Sequence, residues 1–257
     1  MGTIIVCILA GMGAGLGTGF AGMSAAVVIS PMLITFLDMN PYEAIGIALS
    51  SDVLASAASA YTYGKNKNID LKRSKSLFVS VLLFTGIGAI IAHLVPATTM
   101  GNMTVFASLL MGINFLKKSF KEEKVRESKV YNDRMQMILP ILCGALIGFI
   151  CGFIGAGGGI MMLILLTAVL GYELKTAVGT SVFIMTFTAL YGATSHFVLG
   201  GIVPNIPVLV LCVASTLFFA ITGARFANRT EPRMLNRATG TVLATLGVVM
   251  IIVNYLG

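Results

Sequence analysis

The chain has 257 residues, of which 57% are hydrophobic and only 11% are charged, and its mean hydropathy is +0.95. Soluble globular domains carry roughly 25% charged residues, so this composition excludes a soluble domain and predicts an all-α polytopic membrane protein. The formal net charge of +7 is expected to lie in loops at one membrane face, and it gives no reason to expect a nucleic-acid partner.

Eight apolar blocks follow one another along the chain, separated by short polar joints. They cover residues 3–37, 42–64, 74–95, 100–118, 136–170, 172–199, 204–227 and 233–256. This order predicts a first membrane repeat at 1–118, a charged cytoplasmic linker at 119–135 and a second membrane repeat at 136–257. The linker contains the interleaved charges between Lys117 and Arg134. We expect it to be a solvated helix or loop, with a regulatory docking site as the alternative.

The two halves repeat each other at an offset of 133 residues. Residues 19–27 align with 152–160, and the tripeptide at 44–46 aligns with 177–179 without a gap. As a straight helix, the first block of each half would be about 52 Å long, too long for one crossing of a ~30 Å hydrocarbon core. We therefore expect each block to break at its glycines, as a re-entrant hairpin or as two half-length helices, with three spanning helices after it. The alternative is that these glycines form helix-packing faces.

The distribution of basic residues predicts the topology. If each broken block leaves and returns on the same side, the second repeat is inverted and all 17 Lys and Arg residues fall on one face. The positive-inside rule makes that face cytoplasmic and places both termini outside. If the broken blocks were single crossings, Lys175 and the arginines from Arg225 to Arg237 would move to the opposite face.

Candidate ligands for a small anion collect where the breaks should meet the second long block of each half. A half-helix that resumes after a break points unpaired N–H groups and the positive end of its dipole into the gap. Hydroxyls near the membrane centre add donors, although each could instead bond the carbonyl four residues earlier. The predicted substrate-binding residues are Gly22, Ser24, Ser50, Ser51, Gly155, Gly157, Gly158, Thr180 and Ser181.

Two charged residues receive separate predictions. Asp52 lies about 15 Å into its block, where an ionised carboxylate is costly. We expect it to gain and lose a proton in a coupled cycle, with a purely structural hydrogen bond as the alternative. Arg225 is a possible gate, with a snorkelling side chain as the alternative. His93 and His196 are expected to pack or to hydrogen-bond near the membrane interface.

The cysteines and the known catalytic motifs give no sign of an enzyme. Cys7, Cys143, Cys151 and Cys212 lie in apolar blocks without CxxC spacing, so we expect neither a disulfide nor a metal centre. The chain has no nucleotide-binding loop, zinc-protease motif or serine-hydrolase motif. We therefore expect no catalysis and no cofactor.

The glycine-rich openings of residues 19–27 and 152–160, the string AVGTS at 177–181 and the element GAR at 223–225 resemble the sulfite exporter TauE/SafE family. The resemblance covers nearly the whole chain. The first opening has MSAA at 23–26 where the family pattern has gly-x-gly-gly-gly. The resemblance implies export of small sulfur-containing oxyanions, such as sulfite or organosulfonates, across a bacterial cytoplasmic (inner) membrane.

The function predicted from the sequence is thus a secondary transporter that works in the lipid bilayer on a small anion by alternating access. Coupling to protons is the preferred energy source, because no nucleotide motif is present. An uncoupled anion channel or a membrane sensor of a small anion is the alternative.

Overall fold

The computed structural model describes residues 2–72, 74–120, 133–155 and 158–227, together with residues 241 and 245. In chain order its helices are α1 (Gly2–Ala21), α2 (Ala26–Leu37), α3 (Pro41–Lys65), α4 (Lys75–Ala92), α5 (Ala97–Phe120), α6 (Asp133–Ile154), α7 (Gly158–Ala168), α8 (Leu174–Gly200) and α9 (Ile206–Ala227). Five of these described helices, α1, α3, α4, α8 and α9, are long and apolar enough to span a membrane. The prediction of a multi-pass helical membrane protein is confirmed.

The predicted linker and the last predicted block lie largely outside the described residues. Both ends of the predicted linker 119–135 are helical, because α5 continues to Phe120 and α6 begins at Asp133. The last predicted block, 233–256, lies outside the described residues apart from 241 and 245, and so do the arginines that follow α9.

The first apolar block of each half contains two helices. Block 3–37 holds α1 and α2, and block 136–170 holds α6 and α7. The chain leaves α1 at Gly22 with φ of 61° and leaves α6 at Gly155 with φ of 71°. Only glycine adopts this left-handed region without a Cβ penalty. The Gly22 N–H donates to the Thr18 carbonyl, which is the αL way of ending a helix, and the Met23 N–H donates to the Gly17 carbonyl.

Other glycines form close helix contacts. Gly11, Gly15 and Gly19 lie on the side of α1 that meets α9, and Gly144, Gly148 and Gly152 lie on the side of α6 that meets α4. A Cβ at Gly15 would lie 2.4 Å from the Thr216 carbonyl oxygen, and one at Gly148 would lie 2.2 Å from the Val81 carbonyl oxygen. A side chain at either position would force the helices apart. The packing-face interpretation therefore holds for these six glycines.

Helices α3 and α8 pack against each other in opposite directions. Gly46, near the start of α3, lies against Phe197 near the end of α8, whereas Gly179, near the start of α8, lies against Tyr63 near the end of α3. Asn40 caps α3 by accepting a 3.0 Å hydrogen bond from the Tyr42 N–H, as expected for an N-cap residue. The two helices thus begin at opposite ends of the bundle.

Two apolar cores stack along these helices. The first contains α1, α2 and the early part of α3 from Ala44 to Leu49. The second contains the late part of α3, including Ala60 and Tyr63, with parts of α4, α7 and α8. Asp52 lies between them along α3 and is buried, with 1% of its surface exposed. The polar site described next therefore lies between two apolar layers.

Candidate substrate and coupling site

Asp52 is the centre of a buried hydrogen-bond cluster. The Ser24 hydroxyl donates to Asp52 Oδ2 at 2.7 Å, and the Ser56 hydroxyl donates to Oδ1 at 2.9 Å. Ser24 and Ala25 directly precede α2, so the carboxyl group lies at the N-terminal end of that helix, where the helix dipole favours negative charge.

The two chain breaks touch each other beside this carboxyl group. Ser24 Oγ lies 3.5 Å from the Gly155 carbonyl oxygen. A Cβ added to Gly159 would lie 2.0 Å from the Gly22 carbonyl oxygen, and one added to Gly22 would lie 2.7 Å from Ser181 Oγ. A larger residue at Gly159 would push the two breaks apart, whereas one at Gly22 would collide with Ser181 and Val178 of α8. The predicted ligand Gly157 lies outside the described residues.

The two predicted α3 hydroxyls bond to their own helix. Ser50 Oγ donates to the Gly46 carbonyl at 2.8 Å, and Ser51 Oγ donates to the Ile47 carbonyl at 3.0 Å. These are the back-bonds given as the alternative in the sequence analysis. In this conformation each hydroxyl donates its hydrogen within α3 and so cannot donate it to a substrate.

The two predicted α8 hydroxyls lie near the start of their helix. The apolar block was expected to begin at 172, but α8 begins at Leu174, so Thr180 and Ser181 lie nearer the helix start than Ser50 and Ser51 do in α3. Thr180 Oγ1 accepts a 3.0 Å hydrogen bond from the Asp70 N–H in the α3–α4 connection. Ser181 Oγ donates to the Val178 carbonyl at 2.8 Å. A Cβ at Gly22 would lie 2.7 Å from Ser181 Oγ, so Ser181 reaches the Gly22 break.

The remaining predicted residues lie at helix ends. Gly158 is buried and is the first residue of α7. A Cβ there would lie 3.0 Å from Cys151 Sγ. Arg225 is exposed in the last turn of α9, where a cation is favoured by the helix dipole.

The sequence analysis did not single out Ser56, Ser59 or Tyr63. They follow Asp52 by four, seven and eleven residues, which places all four side chains within about 60° of one another around α3. All are buried. Ser59 Oγ has no hydrogen-bond partner among the described residues. The helical spacing from Asp52 was the signal that could have identified this polar face.

The second half has a different residue at the corresponding place. The offset of 133 residues carries Asp52 to Met185, whose Sδ would lie 2.6 Å from a Cβ at Gly159 in the first turn of α7. The start of α2 thus lies beside the Asp52 carboxyl group. The start of α7 instead lies beside the Met185 thioether.

Similarity to a known protein family extends over nearly the whole chain. The model of the sulfite exporter TauE/SafE family matches residues 7–250. The chain belongs to this family. A probable membrane transporter protein of Methanocaldococcus jannaschii is 25% identical to this TauE/SafE protein, with 97% of this chain and 94% of the relative covered. The probable membrane transporter protein YunE of Bacillus subtilis is 22% identical, with 97% of both chains covered. No solved structure matches the chain.

Family membership identifies this TauE/SafE protein as a membrane transporter that acts in the lipid bilayer on a small substrate. The match spans both halves of the chain and includes the two breaks and the Asp52 cluster.

Proposed function

We propose that this TauE/SafE protein is a secondary transporter that exports small sulfur-containing oxyanions, such as sulfite or organosulfonates, by alternating access coupled to protons. The observation that carries the proposal is the contact between the two chain breaks beside a buried carboxyl group. Interrupted helices that meet near the membrane centre are where secondary transporters bind substrates and coupling ions.

The two breaks also support an inverted repeat. Gly22 and Gly155, which both have positive φ, are separated by the same 133-residue offset that relates the two sequence motifs. Helices α3 and α8 begin at positions related by this offset and run in opposite directions. We place the basic loops in the cytoplasm and both termini outside the cytoplasmic membrane.

The substrate anion belongs at the second break in this proposal. Asp52 already provides negative charge at the start of α2, which would repel an anion there. Its counterpart Met185 provides none at the start of α7. Gly158 and Gly159 have no side chains of their own to cover the N–H groups of the first turn of α7, and these are the groups that we assign to the oxyanion.

Asp52 supplies the coupling in this proposal. It is the carboxyl group in the polar layer between the two apolar cores, and it contacts the first break through Ser24. Protonation would remove negative charge next to the anion site and so change the affinity for the substrate. Ser24 also lies beside the Gly155 carbonyl. A change in the protonation of Asp52 would therefore alter the contact between the two breaks through the Ser24 side chain.

A thermal-shift screen of the purified protein against sulfite, sulfate, thiosulfate, sulfoacetate and carboxylates tests the proposed ligand class. At an anion concentration 100 times the Kd, binding stabilises the folded state by about 2.7 kcal/mol. For a chain of this length this corresponds to a rise in Tm of about 5–11 °C. We expect such a rise with sulfite or sulfoacetate and none with simple carboxylates.

The variant Gly158→Leu should abolish this rise, because its side chain fills the start of α7 beside Cys151. Gly64→Leu is the matched control, since Gly64 is exposed near the end of α3. A carboxylate preference, or an unchanged sulfite response in Gly158→Leu, would contradict the proposed site.

A further inference from the structure

Two side chains of the long helices hydrogen-bond to backbone carbonyls just before the breaks. The Tyr63 hydroxyl on α3 donates to the Gly19 carbonyl at 3.2 Å, and His196 Nε2 on α8 lies 3.0 Å from the Gly152 carbonyl. A carbonyl oxygen only accepts, so Nε2 carries the proton in this contact. Tyr63 and His196 are buried, with 2% and 0% of their surfaces exposed.

These two hydrogen bonds occupy equivalent positions in the two halves. The 133-residue offset carries Tyr63 to His196 and Gly19 to Gly152. Both acceptors lie three residues before a glycine with positive φ. The same contact is therefore made twice, once by a phenol and once by an imidazole.

Each of the two acceptor carbonyls lies in the last turn of a helix, α1 or α6. The last four carbonyls of a helix have no partner within that helix. The Gly17 and Thr18 carbonyls of α1 are bonded by backbone N–H groups of the break, and the Tyr63 hydroxyl bonds the next one, Gly19. Each of α3 and α8 thus holds the C-terminal end of the helix that leads into a break.

The two contacts lie towards opposite ends of the bundle. Tyr63 is near the end of α3 and His196 is near the end of α8, and these helices pack antiparallel. Tyr63 is therefore near the end of the bundle that carries Lys65, and His196 is near the end that carries Asn205. His196 also lies beside His93, with ring centroids 5.4 Å apart.

We propose that Tyr63 and His196 are paired latches, each of which holds one broken hairpin against its long helix and closes the transporter at its own face. The inference rests on the proposed alternating-access function. Tyr63 and His196 are positioning residues, because they act through the backbone of the breaks. Release of the Tyr63 latch opens the face near Lys65, and release of the His196 latch opens the opposite face.

The test measures access to two matched reporter positions. Ala60 on α3 and Ala193 on α8 are related by the same offset, are 7% and 4% exposed, and lie three residues before the respective latch residues. Each is replaced singly by cysteine in a full-length chain whose four native cysteines are changed to alanine. The rate of modification by a membrane-impermeant thiol reagent is then measured in proteoliposomes, with reagent on either side.

Tyr63→Phe should raise the modification rate of the Ala60→Cys reporter by about fivefold, the population shift expected from the loss of one net hydrogen bond, and should lower the rate of the Ala193→Cys reporter. His196→Leu should do the reverse. His196→Gln, whose amide can still donate to Gly152, should restore the wild-type rates. Tyr61→Phe is the matched control and should change neither rate, because Tyr61 is 76% exposed.

Opposite shifts in the two latch variants would distinguish latches from ordinary structural contacts. Increases at both reporters in both variants would show general loosening and overturn the proposal, as would unchanged rates in both. If His196→Leu does not fold, His196→Ala provides the same comparison. The assay needs no substrate, so opposite shifts support the latches even if sulfite is not the cargo. Unchanged rates in a protein that still binds sulfite would reject only the latches.

Discussion

The bond from Ser24 to Asp52 should make a large contribution to stability. Ser24→Ala removes a 2.7 Å donor from a buried carboxyl group. Because the remaining oxygen is shielded from water, the loss should cost about 1–3 kcal/mol of unfolding free energy. For a chain of this length, that corresponds to a fall in Tm of about 2–12 °C.

Ser30→Ala provides the matched control. Ser30 is a second buried serine, on α2, but its hydroxyl has no partner among the described residues. Its removal loses no hydrogen bond and takes away an unpaired buried hydroxyl, so Tm should not fall. Unfolding in detergent can be followed with a thiol-reactive fluorophore that reports exposure of the buried cysteines Cys7, Cys151 and Cys212. Equal losses in the two variants would refute the special role of the Ser24 bond.

Two further predictions concern topology and the contact between the breaks. In a cysteine-free background, single cysteines at Asn40 and Asn205 should react with an impermeant reagent from outside the cell and one at Asn68 should not; labelling of all three from outside would reject the inverted repeat. Gly159→Ala should lower Tm and weaken sulfite binding, because its Cβ would lie 2.0 Å from a backbone oxygen, whereas Gly64→Ala meets only a flexible side-chain end at 3.3 Å. Equal effects of the two glycine substitutions on binding would show that close approach of the breaks is not needed.

Composition and block length were sufficient to predict the helical membrane class. Block length also predicts an interruption in the first block, because a 35-residue apolar block cannot cross the bilayer once as a straight helix. The exact start of α8 was less predictable, since Gly171 and Tyr172 are compatible with either a helix or a joint.

Partners across the fold could not be derived from the sequence in the same way. Depth arguments placed Ser24 and Asp52 near the membrane centre separately, but which hydroxyl reaches the carboxyl group depends on how α2 packs against α3. The same limit applies to Ser50 and Ser51, whose hydroxyls turn back to their own helix. The 133-residue offset relates Tyr63 to His196 and Gly19 to Gly152, but the contact within each pair is seen only in the fold.

The most direct test of the proposed transport cycle is sulfite movement in proteoliposomes under an imposed pH gradient. The wild-type protein should accumulate sulfite against its concentration gradient only while the pH gradient is present. Asp52→Asn keeps a hydrogen-bonding side chain but cannot titrate, so it should still bind sulfite in the thermal-shift assay and should lose gradient-driven accumulation. Full accumulation by Asp52→Asn would contradict proton coupling through Asp52, and a sulfite leak through the wild-type protein that ignores the pH gradient would instead indicate an uncoupled channel.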